Sequence, residues 1–151
     1  MNQADLRIHV PESEPFRWDG VPVQAYKDAG SHFRDITRQV LFVDEGIGAE
    51  LRYFEIGPGG WSSLERHQHM HAVMIVQGKG RALVGDRILD LEPHDLVRVP
   101  RLTWHQFRAA ADSALGFLCL VACGRDRPER PDSVALEALR AEPAVADFIQ
   151  A

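Results

Sequence analysis

The chain has 151 residues, a length that suits one domain with a buried core. Its formal net charge is −5 and no basic stripe interrupts it, which excludes a nucleic-acid-binding surface. No apolar run approaches the length of a transmembrane helix, and the first ten residues lack the apolar segment of a signal peptide. We therefore expect a cytoplasmic protein without a membrane partner.

The predicted elements begin with a polar arm, residues 1–20, which is rich in Pro, Glu and Asp. From residue 21 to residue 124, short apolar or alternating segments are separated by Gly, Pro and Asp about every ten residues, without a sustained helical period. Many short, evenly spaced strands are typical of a β-sandwich or barrel. The predicted strands span residues 21–28, 36–43, 49–57, 72–77, 81–85, 87–92, 95–100, 105–110 and 114–123.

The tail, residues 125–151, changes character. A charged linker that contains two prolines comes first. Asp132-Ser133 then has the position of a cap for a short helix that carries Val134, Leu136 and Leu139. A second helix is predicted to start near Pro143 and to bury Val145, Phe148 and Ile149. We expect the linker and helices to pack on one end of the barrel.

The segment from Gly59 to Gly78 carries the main chemical signal. It reads GGWSSLERHQHMHAVMIVQG and places four potential metal ligands at every second position, Glu65, His67, His69 and His71. Side chains two apart in a strand share a face, so alternate imidazoles and a carboxylate can converge on one ion. The pattern predicts a metal site inside a closed sheet.

This segment resembles the first signature motif of the cupins, which runs glycine, five residues, His-x-His, three or four residues, Glu, six residues, glycine. Counting forward from Gly59 puts Glu65 at the first ligand position and His67 at the second. Counting back from Gly78 puts His71 at the third. Glutamate and histidine have thus exchanged places relative to the family pattern.

An alternative register takes His67 and His69 as the His-x-His pair. It leaves Val73 or Met74 at the third ligand position, and neither side chain binds a hard cation. We therefore prefer the first register, in which His69 lies in a turn near the substrate pocket but does not bind the metal.

A weaker likeness to the second cupin motif supplies the fourth ligand. Pro100 and His105 stand at the spacing of that motif, although its two glycines and its asparagine are replaced. The resemblance implies an all-β jelly-roll cupin barrel over residues 21–124, with His105 completing the metal site. Trp61 and Trp104 flank the ligand segments and are expected to wall the pocket.

The expected ligand set, three imidazoles and one carboxylate, suits several divalent cations. We place manganese first, with iron, nickel, cobalt or zinc as alternatives. Open coordination positions could hold a bidentate small-molecule substrate or dioxygen, so metal chemistry alone leaves isomerases, lyases and dioxygenases in play.

Cys119 and Cys123 are the feature that discriminates among these functions. They lie four apart in a strand-like segment, about 13 Å along an extended chain, which is too far for a disulfide bond. A buried cysteine commonly serves as a small apolar side chain. If Cys119 points into the barrel, its thiolate could instead act as a nucleophile on a bound substrate.

Further likenesses connect the chain to one group of small bacterial cupins. They are Glu65-x-His67, the segments 104–107 and 117–119, and the Arg-Asp-Arg-Pro tail. That group includes an enzyme of methylthioadenosine salvage that moves a methylsulfanyl group from 1-methylthioxylulose 5-phosphate to a thiol and leaves 1-deoxyxylulose 5-phosphate. The resemblance implies Cys119 as the nucleophile and glutathione as the thiol that regenerates it.

Two other functions stay open: a metal-dependent dioxygenase or sugar isomerase with spectator cysteines, and a non-enzymatic small-ligand binder. Apolar residues occur on both faces of two predicted strands, at residues 40–43 and 118–121. A lone barrel needs only its inner face apolar, so we expect a homodimer.

Overall fold

The structure, a computed structural model, describes residues 7–27 and 30–151. Residues 1–6 of the predicted arm lie outside the described residues. So do residue 28, the last of the first predicted strand, and residue 29 after it. The strands are β1 Gln24–Ala25, β2 Arg34–Asp44, β3 Ala49–Trp61, β4 His71–Gly78, β5 Gly80–Val84, β6 Arg87–Leu91, β7 Leu96–Val99, β8 His105–Ala109 and β9 Leu115–Ala122. The helices are α1 Ser133–Arg140 and α2 Pro143–Phe148.

The strands pair antiparallel in one sheet that curls on itself. Along its main path the order is β6-β5-β8-β3-β9-β4-β7, with β2 paired to β3 and β1 paired to β2. Strands that are distant in sequence, such as β3 and β9, are therefore neighbours, as in a jelly roll. The strand predicted over 21–28 is much shorter than expected, because only Gln24 and Ala25 pair with β2 before the chain turns toward the barrel interior.

Alternation along β9 shows which face of the sheet is inside. Leu115, Phe117, Cys119 and Val121 are buried, whereas Leu120 between them is 49% exposed. Cys119 therefore points into the barrel. Cys123 lies beyond the end of the strand, and both cysteines are free thiols.

The C-terminal helices pack on the barrel through a second apolar cluster. Val145 and Phe148 of α2 contact Leu64 and Leu83 of the barrel, and all four are buried. Burial of each large apolar side chain contributes about 1.5–3 kcal/mol to stability. Asp132 caps α1 by accepting a hydrogen bond from the backbone nitrogen of Ala135 at 2.8 Å.

Gly78 fixes the end of β4. Its φ is +75°, and a Cβ at this position would overlap the carbonyl oxygen of Ala114, so only glycine allows the turn into β5. β4 therefore ends where the motif places its last glycine.

Apolar side chains remain exposed on the outer face of the sheet. Phe42 is 50% exposed, and Leu120 lies near it because both pair with Leu51. Within residues 7–27 and 30–151, no helix is long and apolar enough to cross a membrane.

Candidate active site

Three histidines from different parts of the chain converge inside the barrel. His71 begins β4, His105 begins β8, and His67 lies in the loop between β3 and β4. One ring nitrogen of each lies within 4.8 Å of those of the other two. Glu65 and His105 form a backbone bridge that brings the two motif segments side by side. The nitrogen of Glu65 donates to the carbonyl oxygen of His105 at 3.1 Å, and the nitrogen of His105 donates to that of Glu65 at 2.9 Å.

Each ring is oriented through its Nδ1 atom. The Nδ1 of His67 donates to the carbonyl oxygen of His69 at 2.7 Å, and that of His105 donates to the carbonyl oxygen of Thr103 at 2.9 Å. The Nδ1 of His71 lies 3.2 Å from the Sγ of Cys119. Nε2 is thus the atom that each ring leaves for a ligand. Such tying of the second nitrogen is usual for metal-binding histidines.

The protonation of the histidines also suits a cation. Burial first, and then the charges of His105 and His67, lower the pKa of His71 to about 2. Burial lowers the pKa of His105 to about 4. These imidazoles are therefore neutral near pH 7, with free lone pairs. The Nε2 of His71 is buried and has no hydrogen-bond partner among the described residues, which is the state expected of an unsatisfied metal ligand.

Glu65 faces the same pocket, but it is not part of the three-histidine cluster. Its Oε2 accepts hydrogen bonds from Ser63 Oγ and Lys27 Nζ, each at 2.6 Å. Burial raises the pKa of Glu65, but Lys27 and Ser63 outweigh it and hold the pKa below its usual value. The group is a carboxylate near pH 7, and its Oε1 accepts no hydrogen bond from the described residues. Glu65 stays a predicted fourth ligand through this oxygen.

His69 lies against the site and outside the cluster. Its ring stacks on that of His67 with centroids 3.6 Å apart and planes 4° from parallel. Its Nδ1 donates to Asp126 Oδ1 at 2.7 Å, and Asp126 also accepts from the backbone nitrogens of Gln68 and His69. Asp126 thereby attaches the tail to the loop that carries His67.

The buried thiol of Cys119 lies between Arg52, which donates to it, and the ring of His71. Arg52 Nη2 lies 3.5 Å from Sγ, and His71 Nδ1 lies 3.2 Å from it. Burial raises the pKa of Cys119, and the positive charge of Arg52 opposes this rise. The thiol is therefore adjacent to a histidine of the cluster without belonging to the cluster itself.

These groups open onto a cavity of about 600 Å³. Its floor is a stack of aromatic rings, in which Phe117 lies 5.5 Å from Phe54 and 4.9 Å from Phe107 between centroids. A larger depression of about 930 Å³ lies elsewhere, but its lining contains no histidine or cysteine. The smaller cavity is therefore the candidate active site.

The two tryptophans do not wall this cavity, contrary to expectation. The Trp61 ring lies under the guanidinium of Arg34, 5.5 Å from it, and Trp104 lies under Arg66 at 4.6 Å. Trp104 also packs on the apolar cluster beneath α2. Both rings are large apolar surfaces that fill the packing around the site, which is their commonest role.

Sequence reasoning missed several residues of the site. Lys27 and Ser63 hold Glu65, and Arg52 contacts Cys119 across 67 positions of sequence. The one local signal is Ser63, which precedes Glu65 by two residues and so shares its face in an extended segment. The partners of Lys27 and Arg52 depend on strand pairing, which leaves no mark near them in the sequence.

Comparison with known proteins extends this picture. Residues 52–121 match the family model described as Cupin domain. The chain is 55% identical over 146 residues to 1-methylthio-D-xylulose 5-phosphate methylsulfurylase of Rhodospirillum rubrum, an alignment that spans 96% of this chain and 94% of that protein.

Solved structures agree over a similar extent. A crystal structure of a cupin-2 domain protein from Rhodospirillum rubrum is 56% identical, has a TM-score of 0.84, and covers 88% of this chain and 90% of its own. A cupin 2 conserved barrel domain protein from Rhodopseudomonas palustris is 51% identical, with a TM-score of 0.86 and coverage of 91% and 95%. The likeness extends well beyond the motif segments.

Proposed function

This chain belongs to the cupin family, which confirms the jelly-roll prediction, and we propose that it transfers the methylsulfanyl group of 1-methylthioxylulose 5-phosphate to a thiol. The observation that carries this proposal is the position of Cys119, whose Sγ lies 3.2 Å from His71 in a three-histidine pocket. The near full-length relative that bears the name of this activity supports it.

We assign His67, His71 and His105 as metal ligands through Nε2, with Glu65 as the fourth ligand. The support for the histidines is their convergence, the neutral state of His71 and His105 and the orphaned Nε2 of His71. The support for Glu65 is its ionised state and its place in the lining of the same cavity. A divalent cation bound there would supply Lewis acidity toward the ketone oxygen of the substrate. The hydrogen bonds at each Nδ1 fix the rings so that little reorganisation accompanies binding.

Cys119 carries the transfer step. Its thiolate attacks the sulfur of the methylsulfanyl group, so a sulfur–sulfur bond forms and the bond between that sulfur and C1 breaks. The electron pair of the broken bond goes to C1, next to the ketone, and C1 then takes up one proton in place of the one lost from the thiol. Arg52, which donates to Sγ, stabilises the thiolate before attack. The products are 1-deoxyxylulose 5-phosphate and a methyl disulfide of Cys119.

A second thiol restores the enzyme. Its thiolate attacks the methylsulfanyl sulfur of the mixed disulfide, Cys119 leaves as a thiolate, and a methyl disulfide of the second thiol departs. Glutathione is our choice for this co-substrate, because it is a small, abundant cytosolic thiol. Tail residues Arg125, Arg127 and Arg130 line the cavity, so the thiol would enter past the tail.

Three further assignments belong to the proposal. Manganese is the metal we favour, and the nitrogen and oxygen donors suit it as they suit iron, nickel, cobalt and zinc. The cytoplasm is the compartment, because Cys119 must be kept reduced for turnover. A homodimer would cover the exposed apolar outer face around Phe42 and Leu120.

The test is turnover of 1-methylthioxylulose 5-phosphate by the purified protein, after metal analysis, with and without glutathione. We expect a single burst of 1-deoxyxylulose 5-phosphate without the thiol and multiple turnovers with it. Oxygen consumption, or isomerisation without loss of the methylsulfanyl group, would replace this function with the dioxygenase or isomerase alternative.

A further inference from the structure

The cavity is strongly positive in a chain that is acidic as a whole. Among the residues that the structure describes, six cationic side chains line it against one carboxylate, Glu65, although the chain carries a formal net charge of −5. A concave wall of one charge sign concentrates the field and favours a ligand of the opposite sign. The imbalance therefore indicates an anionic ligand and not merely a polar one.

Three of the six cations already have roles in the wall. Lys27 pairs with Glu65 at 2.6 Å, and Arg125 pairs with Glu50 at 3.0 Å. Arg52 lies 3.7 Å from Glu50 and donates to the thiol. These cations are largely neutralised by carboxylates and contribute little to binding an external anion.

Arg38 of β2 is different. It lines the cavity between the β1 and β3 strands, where its backbone pairs with Gln24 and Phe54. It makes no ion pair with any described residue, whereas Arg52 has Glu50 at 3.7 Å. The Nε of Arg38 is buried and, like the Nε of Arg52, has no hydrogen-bond partner among the described residues. A buried guanidinium N–H without an acceptor is costly, so the position calls for an oxygen from a ligand.

Two tail arginines complete the positive wall. Asp126 fixes the tail through the backbone nitrogen of Gln68 at 2.8 Å, and Glu129 fixes it through a backbone bridge to Arg66 at 3.0 and 2.8 Å. Arg127 lies between these two attachments and Arg130 directly after the second, and both line the cavity. The tail therefore presents these guanidinium groups at the mouth from a fixed backbone.

We propose that Arg38, with Arg127 and Arg130, binds the phosphate monoester of the substrate and makes the pocket selective for phosphorylated ketoses. This inference rests on the proposed function, which places the methylsulfanyl end of the substrate at Cys119. β2 lies two strand spacings from β9, about 10 Å, so the far end of a five-carbon chain can reach Arg38. Planar guanidinium groups match phosphate oxygens in paired hydrogen bonds.

The experiment measures binding without turnover. Isothermal titration calorimetry compares xylulose 5-phosphate with xylulose, neither of which has a methylsulfanyl group, on the metal-loaded protein and on the variant Arg38→Gln. We expect Arg38→Gln to lower the affinity for xylulose 5-phosphate about 10- to 100-fold and to leave the affinity for xylulose unchanged. The matched control is Arg87→Gln, which removes an equal charge from an exposed position of β6 outside the cavity.

Equal affinities of Arg38→Gln and the unchanged protein for xylulose 5-phosphate would overturn the inference, as would an equal loss for both sugars. If Arg38→Gln does not fold, two measurements take its place. Arg38→Lys should show a smaller loss that is still confined to the phosphorylated sugar. On the unchanged protein, inorganic phosphate should compete with xylulose 5-phosphate; absence of competition would also overturn the inference.

A separate assay distinguishes the two proposals. Turnover of 1-methylthioxylulose 5-phosphate tests the proposed function, whereas the affinity ratio of the two sugars tests the phosphate site. Selective binding without turnover would retain the phosphate site and reject the function. Turnover with equal affinity for the two sugars would retain the function and reject the phosphate site.

Discussion

Replacing Cys119 by serine is the sharpest test of the thiol step. The side chain is 1% exposed and differs from serine by one atom, so the change leaves packing nearly intact. The serine hydroxyl can bond to Arg52 and to His71, the two groups that now contact the sulfur. A polar group that keeps its partners costs about 1–2 kcal/mol, which lowers the melting temperature by about 2–8 °C. The variant should therefore fold.

Its chemistry should nevertheless fail. A serine hydroxyl without an activating base is scarcely ionised near neutral pH, and an oxygen nucleophile cannot form the sulfur–sulfur bond. We expect turnover to fall by about 10³-fold or more. Metal content should stay at that of the unchanged protein, because Cys119 is outside the three-histidine cluster.

The assay pairs product formation with metal analysis and with intact-mass spectrometry of the protein after reaction without glutathione. The unchanged protein should gain one methylsulfanyl group on Cys119, and the variant should gain none. The matched control is Cys123→Ser, at a partly exposed thiol beyond the end of β9, which should retain activity. Full turnover by Cys119→Ser with bound metal would refute the thiol mechanism.

Three further outcomes are expected. His67→Ala should lose both the metal and the activity, measured by elemental analysis, while His9→Ala at the exposed N-terminal segment keeps both. The metal-free protein should lose stability below pH 6.5, because the unfolded chain then binds protons that folded His105 and His71 accept only near about pH 4 and about pH 2. Urea titrations should show a loss on the order of 1 kcal/mol per pH unit for each histidine in that window; a flat profile from pH 7 to pH 5 would contradict this. Phe42→Asp should convert a dimer to a monomer by light scattering, and a monomeric unchanged protein at micromolar concentration would remove the dimer proposal.

Much of the fold follows from local pattern. Alternating apolar residues and regular Gly, Pro and Asp punctuation marked the strands, because side-chain alternation in a strand is a property of the segment itself. Gly59 and Gly78 gave the predicted ligand register, and both adopt the positive φ that selects glycine, Gly59 within β3 and Gly78 at the end of β4. The capped helix after Asp132 and the helix from Pro143 were local signals of the same kind.

Other features were decided only in three dimensions. Alternation put Cys119 and Cys123 on one face but did not say which face is inside. The burial of Cys119 in β9, which pairs with β3 on one side and β4 on the other, settled that. The tryptophans were misplaced because proximity in sequence to the ligands does not give the direction of a ring. Arg38, Arg52 and Lys27 join the site through strand pairing and loop placement across long stretches of chain. Such contacts depend on register and on curvature summed over the whole sheet, and no short window of sequence contains either.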